Sequence, residues 1–292
     1  MRLRARPARA RSRSSGRARR RRHLVLGVCA VAGAMAVLTA AAPGHAPATD
    51  LARQVDASFT RTAASAPSAT SFGGTSAVGA LFSAGSVGGS TAGLDTSGGH
   101  FCSASVVSSP AGDLAITAAH CVAGRTTPVV FVPGYHDGQA PYGSWLVTRV
   151  FTDAAWTASG STDDDVAFLR LAPAAGGVPV QSVTGAEQLQ TGASQRDLVT
   201  VIGYPDGAAE PVTCENWTKA FGSTQLEFDC GGYTDGTSGS PFLAGVNPAT
   251  GRGTVIGVIG GYEQGGDTPQ VSYSIVFGTN VASLYQTAVA GS

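Results

Sequence analysis

The chain has 292 residues, 43% of them hydrophobic and 13% charged, and its 19 basic residues balance its 19 acidic ones. The balance comes from one end: residues 1–22 hold 11 arginines, and from residue 49 onward 8 basic residues face all 19 acidic ones, a net charge of about −11. Such a chain is excluded as a nucleic-acid binder, because phosphate contacts need clustered Lys and Arg.

The arginine-rich start is followed by the apolar run Leu24 to Ala42 and the small-residue stretch Gly44-His45-Ala46-Pro47-Ala48, the pattern of a secretion signal over residues 1–48. An apolar run of about 19 residues could also just span a bilayer. Alanine and glycine dominate it, however, and a cleavage-type sequence follows directly, so no membrane contact is expected once the signal is removed. No twin-arginine motif with a following phenylalanine is present. Residues 49–77, rich in Ala, Ser, Thr and Gly, read as a linker or short pro-segment, and the folded part is expected to start near Val78. About 215 residues then remain, enough for two β domains of about 100 residues each. Of five cysteines, Cys29 leaves with the signal, and Cys102, Cys121, Cys214 and Cys230 form an even set suited to an oxidising, extracellular compartment. Three pairings are open; the sequence-local one gives each half a bridge worth about 3 kcal/mol in the loop-entropy picture. No Cys-x-x-Cys spacing supports zinc.

Short β-type runs broken by Gly, Pro and Asp occupy the rest. The first half (78–175) offers Val78 to Phe82, Phe101 to Val107, Leu114 to Thr117, Val129 to Val132, Trp145 to Phe151 and Val166 to Leu171. The second (176–292) offers Leu198 to Gly203, Val212 to Ala220, Gln225 to Asp229, Pro241 to Ala244, Thr254 to Gly261 and Val271 to Val276. Six runs and six runs predict an all-β pair of barrels joined across Pro173 to Pro179. Only Asn280 to Ala290, with Val281, Leu284, Tyr285 and Ala288 at helical spacing, predicts a helix.

Three stretches can carry chemistry. Thr117-Ala118-Ala119-His120-Cys121 puts an imidazole at a strand end beside a cysteine, where it can take a proton near neutral pH; His100 and His136 have contexts that suit ordinary structural or surface histidines. In Asp163-Asp164-Asp165-Val166-Ala167-Phe168-Leu169 a run of acids is ordinarily a solvated loop, or less often a calcium site. Asp165 differs from its neighbours because it abuts an apolar strand that can carry its carboxylate inward to orient a histidine. Gly236-Thr237-Ser238-Gly239-Ser240-Pro241 flanks a serine with glycines, which permit φ > 0 and close approach of a carbonyl to bare N–H groups; Gly236 and Ser238 can donate there.

Taken in this order, the three motifs resemble the chymotrypsin/trypsin-like serine proteases of the secreted bacterial type. α/β-Hydrolases run Ser, Asp, His and carry Gly-x-Ser-x-Gly, whose fifth position is Ser240 here. The resemblance covers Val78 to Ala290. It implies two six-stranded antiparallel β barrels with a C-terminal helix and a cleft between them, catalytic His120, Asp165 and Ser238, and an oxyanion hole at Gly236 and Ser238. Cys102 with Cys121 matches the family's bridge beside the histidine, whereas Cys214 with Cys230 does not match the bridge nearest the serine. Gly-Thr-Ser-Gly-Ser-Pro is similar to the variant in glutamyl endopeptidases. Thr237 stands where digestive relatives have an aspartate that pairs with a new N-terminus, so no inserted ammonium group is expected.

A substrate pocket is expected at Gly232, Gly260, Gly261 and Tyr262. Trypsin-like members have an aspartate where Gly232 stands, and glutamyl endopeptidases use a second-barrel histidine, of which this chain has none after His136. Cleavage after neutral apolar or aromatic residues is therefore expected first, basic residues second, through weaker attraction by Asp235, Glu263 and Asp267, and glutamate last. The resemblance implies a monomeric extracellular endopeptidase acting on protein or peptide substrates without metal or cofactor. The alternatives are a catalytically silent secreted binding protein of the same fold and a secreted esterase.

Overall fold

A computed structural model describes residues 66–84, 99–173 and 177–291. The expected signal, residues 49–65 of the expected linker and residues 174–176 of the expected crossing lie outside them. The first half comprises β2 (Val78–Ser83), β3 (His100–Val107), β4 (Leu114–Thr117), β5 (Val129–Pro133), β6 (Trp145–Thr152) and β7 (Ala167–Pro173), preceded by the short β1 (Thr70–Ser71). Strands β2 to β7 close into an antiparallel barrel in the order β2-β3-β4-β7-β6-β5. Between them lie the helical turns α1 (Ala119–Val122) and α2 (Ala154–Ser159).

The second half comprises α3 (Val180–Thr184), β8 (Gln188–Leu189), β9 (Leu198–Gly203), β10 (Val212–Phe221), β11 (Gln225–Asp229), β12 (Pro241–Asn247), β13 (Arg252–Val258), β14 (Val271–Ile275) and helix α4 (Thr279–Ala290). Its sheet runs β14-β11-β10-β9-β12-β13-β8, with β1 paired to β10. The two ends of its six long strands meet, since the Val258 N–H donates to Ser274 Oγ at 2.9 Å and the Gly260 N–H to the Tyr273 carbonyl at 3.0 Å. The molecule is thus mostly β and chymotrypsin-like, with one closed six-stranded barrel, a second curled sheet and a C-terminal helix.

Several strands are apolar on both faces because alternate residues feed two cores. In β2, Val78, Ala80 and Phe82 join one cluster while Leu81 joins another; in β7, Phe168 goes to the first and Ala167 and Leu169 to the second. The first of these clusters is the seam, because it also takes Tyr204, Leu243, Val258 and Phe277 from the second half and Val281, Leu284 and Ala288 from α4. Helix α4 is clasped onto the first barrel: the Tyr285 hydroxyl donates to the Ser108 carbonyl at 2.7 Å, and the Arg170 guanidinium donates to the carbonyls of Ala288 and Gly291. Among the described residues no helix is long and apolar enough to cross a membrane.

The folded part begins well before Val78. Ser68 bridges Gly231, the Ala69 N–H donates to the Gly231 carbonyl (2.7 Å), and Phe72 packs against the seam. Ala77 is fully buried. Two-residue pairings of this kind leave no periodicity to read in the sequence. Both sequence-local disulfides are present, Cys102–Cys121 and Cys214–Cys230.

Candidate active site

His120 lies in α1, directly after β4, and Cys121 ties that turn back to β3 through Cys102. Its Nδ1 is 2.7 Å from Asp165 Oδ2, and its own backbone N–H donates to Asp165 Oδ1 at 2.9 Å. Asp165 is 1% exposed and takes a third bond, 2.9 Å from the Gly261 N–H of the second half. With Nδ1 facing the carboxylate, Nε2 is the ring nitrogen left for other chemistry.

The other two acids of the run are held apart from this pair. Asp163 accepts from Gln225 Nε2 at 2.7 Å, and Asp164 accepts from the Ser161 hydroxyl (2.7 Å) and Asn280 Nδ2 (2.9 Å). Buried Gln225 also accepts from the Tyr262 N–H with its Oε1 (3.2 Å), so it clamps the aspartate loop to the second sheet.

The Ser238 turn is docked against the histidine side by Ser103, a fully buried residue of β3. The Ser103 N–H donates to the Ser238 carbonyl (2.7 Å), and its hydroxyl donates to the Gly236 carbonyl (3.1 Å) while accepting the Tyr204 N–H (2.9 Å). Its carbonyl in turn accepts from Thr117 Oγ1 at 2.7 Å, three residues before His120. Gly239, at φ +84°, packs so closely on Thr117 and Ala118 that a Cβ would overlap the Ser103 carbonyl and the Thr117 hydroxyl. Gly236, at φ +89°, leaves equally little room: a Cβ would lie 2.5 Å from Asp206 N and 2.7 Å from the Tyr204 carbonyl. Among the described residues the N–H groups of Gly236 and Ser238 have no protein acceptor. Thr237 is satisfied locally, its hydroxyl donating to the Thr234 carbonyl at 2.7 Å.

A cavity of about 870 Å³ opens beside Ser238. Its inner surface includes the buried Tyr233, Ile259 and Ser272, and its rim carries the exposed Asp206, Asp235, Glu263 and Asp267. The four residues expected to form a pocket sit around this space rather than lining it. The Gly232 N–H donates to the Pro269 carbonyl behind the wall (2.8 Å). Gly260 and Gly261 back onto Asp165. The Tyr262 ring packs 4.9 Å from Phe221 and 5.1 Å from Tyr273. The wall is instead the segment from Glu263 to Pro269, and in it Glu263 and Gln264 hold left-handed φ values of 49° and 54°. No sequence signal marked that segment beyond its acids and glycines.

The remaining histidines fall elsewhere. His100 is buried among Phe82, Tyr135 and Tyr204, and burial lowers its pKa, offset in part by the Ala208 carbonyl and by Asp206. His136 sits half-buried, 3.5 Å from Asp137. The ligand atoms of Cys102, His120 and Cys121 lie within 4.8 Å of one another, but both sulfurs are used in the disulfide.

Residues 102–258 match the sequence family described as the trypsin-like peptidase domain. No curated protein matches the chain in sequence. Among solved structures, the protease Anisep from Arthrobacter nicotinovorans is 25% identical with a TM-score of 0.62, over 76% of this chain and 99% of its own. The thermostable serine protease AL20 from an extremophilic microorganism is 25% identical with a TM-score of 0.61, over 75% and 99%. A Glu endopeptidase shares the fold at 15% identity with a TM-score of 0.58, over 77% and 97%.

Proposed function

The chain belongs to the trypsin-like peptidase family, a serine peptidase fold, and on that premise we propose that it is a secreted serine endopeptidase working through His120, Asp165 and Ser238. The observation that carries this reading is the two-point seat of His120 on buried Asp165, beside a Ser238 turn in which the Gly236 and Ser238 N–H groups have no acceptor among the described residues.

In the proposed cycle Ser238 Oγ attacks a peptide carbonyl while His120 Nε2 takes its proton. Asp165 stabilises the imidazolium that forms, and because its second oxygen holds the His120 backbone, ring and main chain are aimed together. The negative charge on the former carbonyl oxygen is met by the Gly236 and Ser238 N–H groups; one such donor is typically worth about 10² to 10³ in turnover. His120 then gives its proton to the leaving amine, and an acyl-enzyme on Ser238 remains. Water, deprotonated by the same imidazole, attacks the acyl group and releases the second product. Secretion is supported by the two disulfides and by the leader pattern of residues 1–48.

The test is labelling by a fluorophosphonate followed by peptide turnover. Labelling at Ser238, lost in Ser238→Ala together with cleavage, is expected. A folded protein that takes no label would favour a non-catalytic binding role, and label with hydrolysis of simple esters only would favour an esterase.

A further inference from the structure

Resting on the peptidase reading of Ser238, we propose that the cavity beside it selects substrates by a positively charged side chain, arginine or lysine, on the residue whose carbonyl Ser238 attacks. Four carboxylates, of Asp206, Asp235, Glu263 and Asp267, line this cavity, and no Lys, Arg or His does so among the described residues. They come from three separate stretches of chain. Two of these are fastened to each other, since the Asp206 N–H donates to the Asp235 carbonyl at 2.6 Å. Glu263 lies close enough to the exposed Tyr262 phenol to raise that phenol's pKa.

The deeper surface suits the rest of such a side chain. Tyr233 and Ile259 are 5% and 3% exposed and offer apolar surface to a methylene stem, while the charged head reaches the acids. Ser272 is 2% exposed, and its hydroxyl has no hydrogen-bond partner among the described residues although it lines the cavity. That hydroxyl is free to accept from a ligand that brings a donor. A carboxylate side chain would meet four like charges, and an apolar one reaching the rim would strip water from them without return. The rim acids are solvent-exposed, so each attracts weakly on its own, but four of one sign around a concave site act together. This reverses the order expected from the sequence, where the absent aspartate at Gly232 pointed to apolar residues first. Selection by charge does not need that position when loops 206, 235 and 263–267 supply it.

The experiment uses the purified full-length protein and peptides that differ only at the cleaved residue: arginine, lysine, citrulline, norleucine or glutamate. Arginine and lysine should exceed their uncharged isosteres in kcat/KM by roughly tenfold to a hundredfold at about 0.01 M salt, and the gap should narrow severalfold at about 1 M. The triple substitution Asp235→Asn, Glu263→Gln, Asp267→Asn should bring the arginine-to-citrulline ratio toward one. Independently of turnover and of variant folding, benzamidine should protect Ser238 of the unaltered protein from a fluorophosphonate, and uncharged benzamide should not. If Ser238 labels but norleucine, citrulline or glutamate peptides equal or beat arginine, charge selection is wrong and the peptidase reading stands. If Ser238 never labels and no peptide is cut, both fall.

Discussion

Asp165 and Glu187 are both buried carboxylates where the two halves of the molecule meet, at 1% and 0% exposure, yet they are seated differently. Asp165 receives three donors: the His120 ring, the His120 backbone and the Gly261 N–H. Glu187 receives one, the Gly253 N–H at 2.6 Å on Oε2, and Oε1 has no partner among the described residues. Burial pushes its carboxyl up to about 7, against the Gly253 N–H and nearby Arg252, which pull it down. Its backbone meanwhile joins the halves, the Glu187 N–H donating to Val106 O and the Ser108 N–H to Glu187 O, each at 2.9 Å. Burial alone therefore does not say what an acid is for. The donors set the two apart: three of them hold Asp165 against His120 and Gly261, whereas one holds Glu187 and leaves its other oxygen without a partner among the described residues.

The sharpest way to break the comparison is through activity. Asp165→Asn should lower kcat by about 10⁴, and the double variant with His120→Ala should lose little more than His120→Ala alone, because residues that act as a unit do not multiply their losses. Glu187→Gln should stay within a few-fold of the parent on the same peptide. Equal losses from the two acids would erase the distinction.

The next effect concerns the strap that covers the Glu187 side of the seam, where the Val106 N–H donates to the Ala77 carbonyl and the Ser76 hydroxyl to the Thr184 carbonyl at 2.7 Å. A chain starting at residue 66 should keep its thermal midpoint and turnover, since Thr237 needs no partner from a new N-terminus. One starting at residue 78 should lose stability by several kcal/mol, as strand β1, Phe72 and Ala77 go with it. Unchanged denaturant midpoints for both would show that the strap is dispensable.

A smaller effect belongs to Glu187 itself. Because its folded pKa is raised above the unfolded value of 4.5 to about 7, the stability tied to its proton is fully present below pH 4.5 and is lost as the pH rises through about 7. Glu187→Gln keeps the uncharged group at every pH, so it should outlast the parent by about 3 kcal/mol near pH 8 and match it near pH 4. Urea unfolding at the two pH values measures this directly, and a variant less stable at pH 8 would contradict it. Smallest of all, Asp164→Asn, next to Asp165 in sequence, should leave kcat within about twofold and cost at most about 1 kcal/mol through its contacts to Ser161 and Asn280.

Much of the fold was legible because its signals are local. Each of the twelve strand-like runs has a counterpart within a few residues of its expected ends, including Leu114–Thr117 and Gln225–Asp229, and the helix expected at Asn280 begins at Thr279. Apolar runs bounded by Gly, Pro and Asp are enough for that. The contact between His120 and Asp165 was legible too, through an acid abutting an apolar strand and a histidine at a strand end. Ser103 was not: a serine inside an apolar strand looks like any other, and its bonds reach Tyr204 and Gly236, more than 100 residues away. The wall from Glu263 to Pro269 was legible only in part: Glu263 and Asp267 were expected to attract charge near the cleft, but not as lining of the cavity beside Ser238, since lining a cavity is a property of how loops from different strands converge.

The sequence by itself determined the strands, the order of the three chemical motifs and the cysteines close enough in the chain to pair, because each depends on residues near one another. Only the tertiary structure decided that residues 66–77 belong to the fold, that α4 closes over the first barrel and that three stretches bring four carboxylates to one cavity. It also decided that Asp165 gains three donors while Glu187 gains one. Those outcomes rest on hydrogen bonds and packing between segments far apart in sequence, and no local pattern of residues encodes which distant segments will meet.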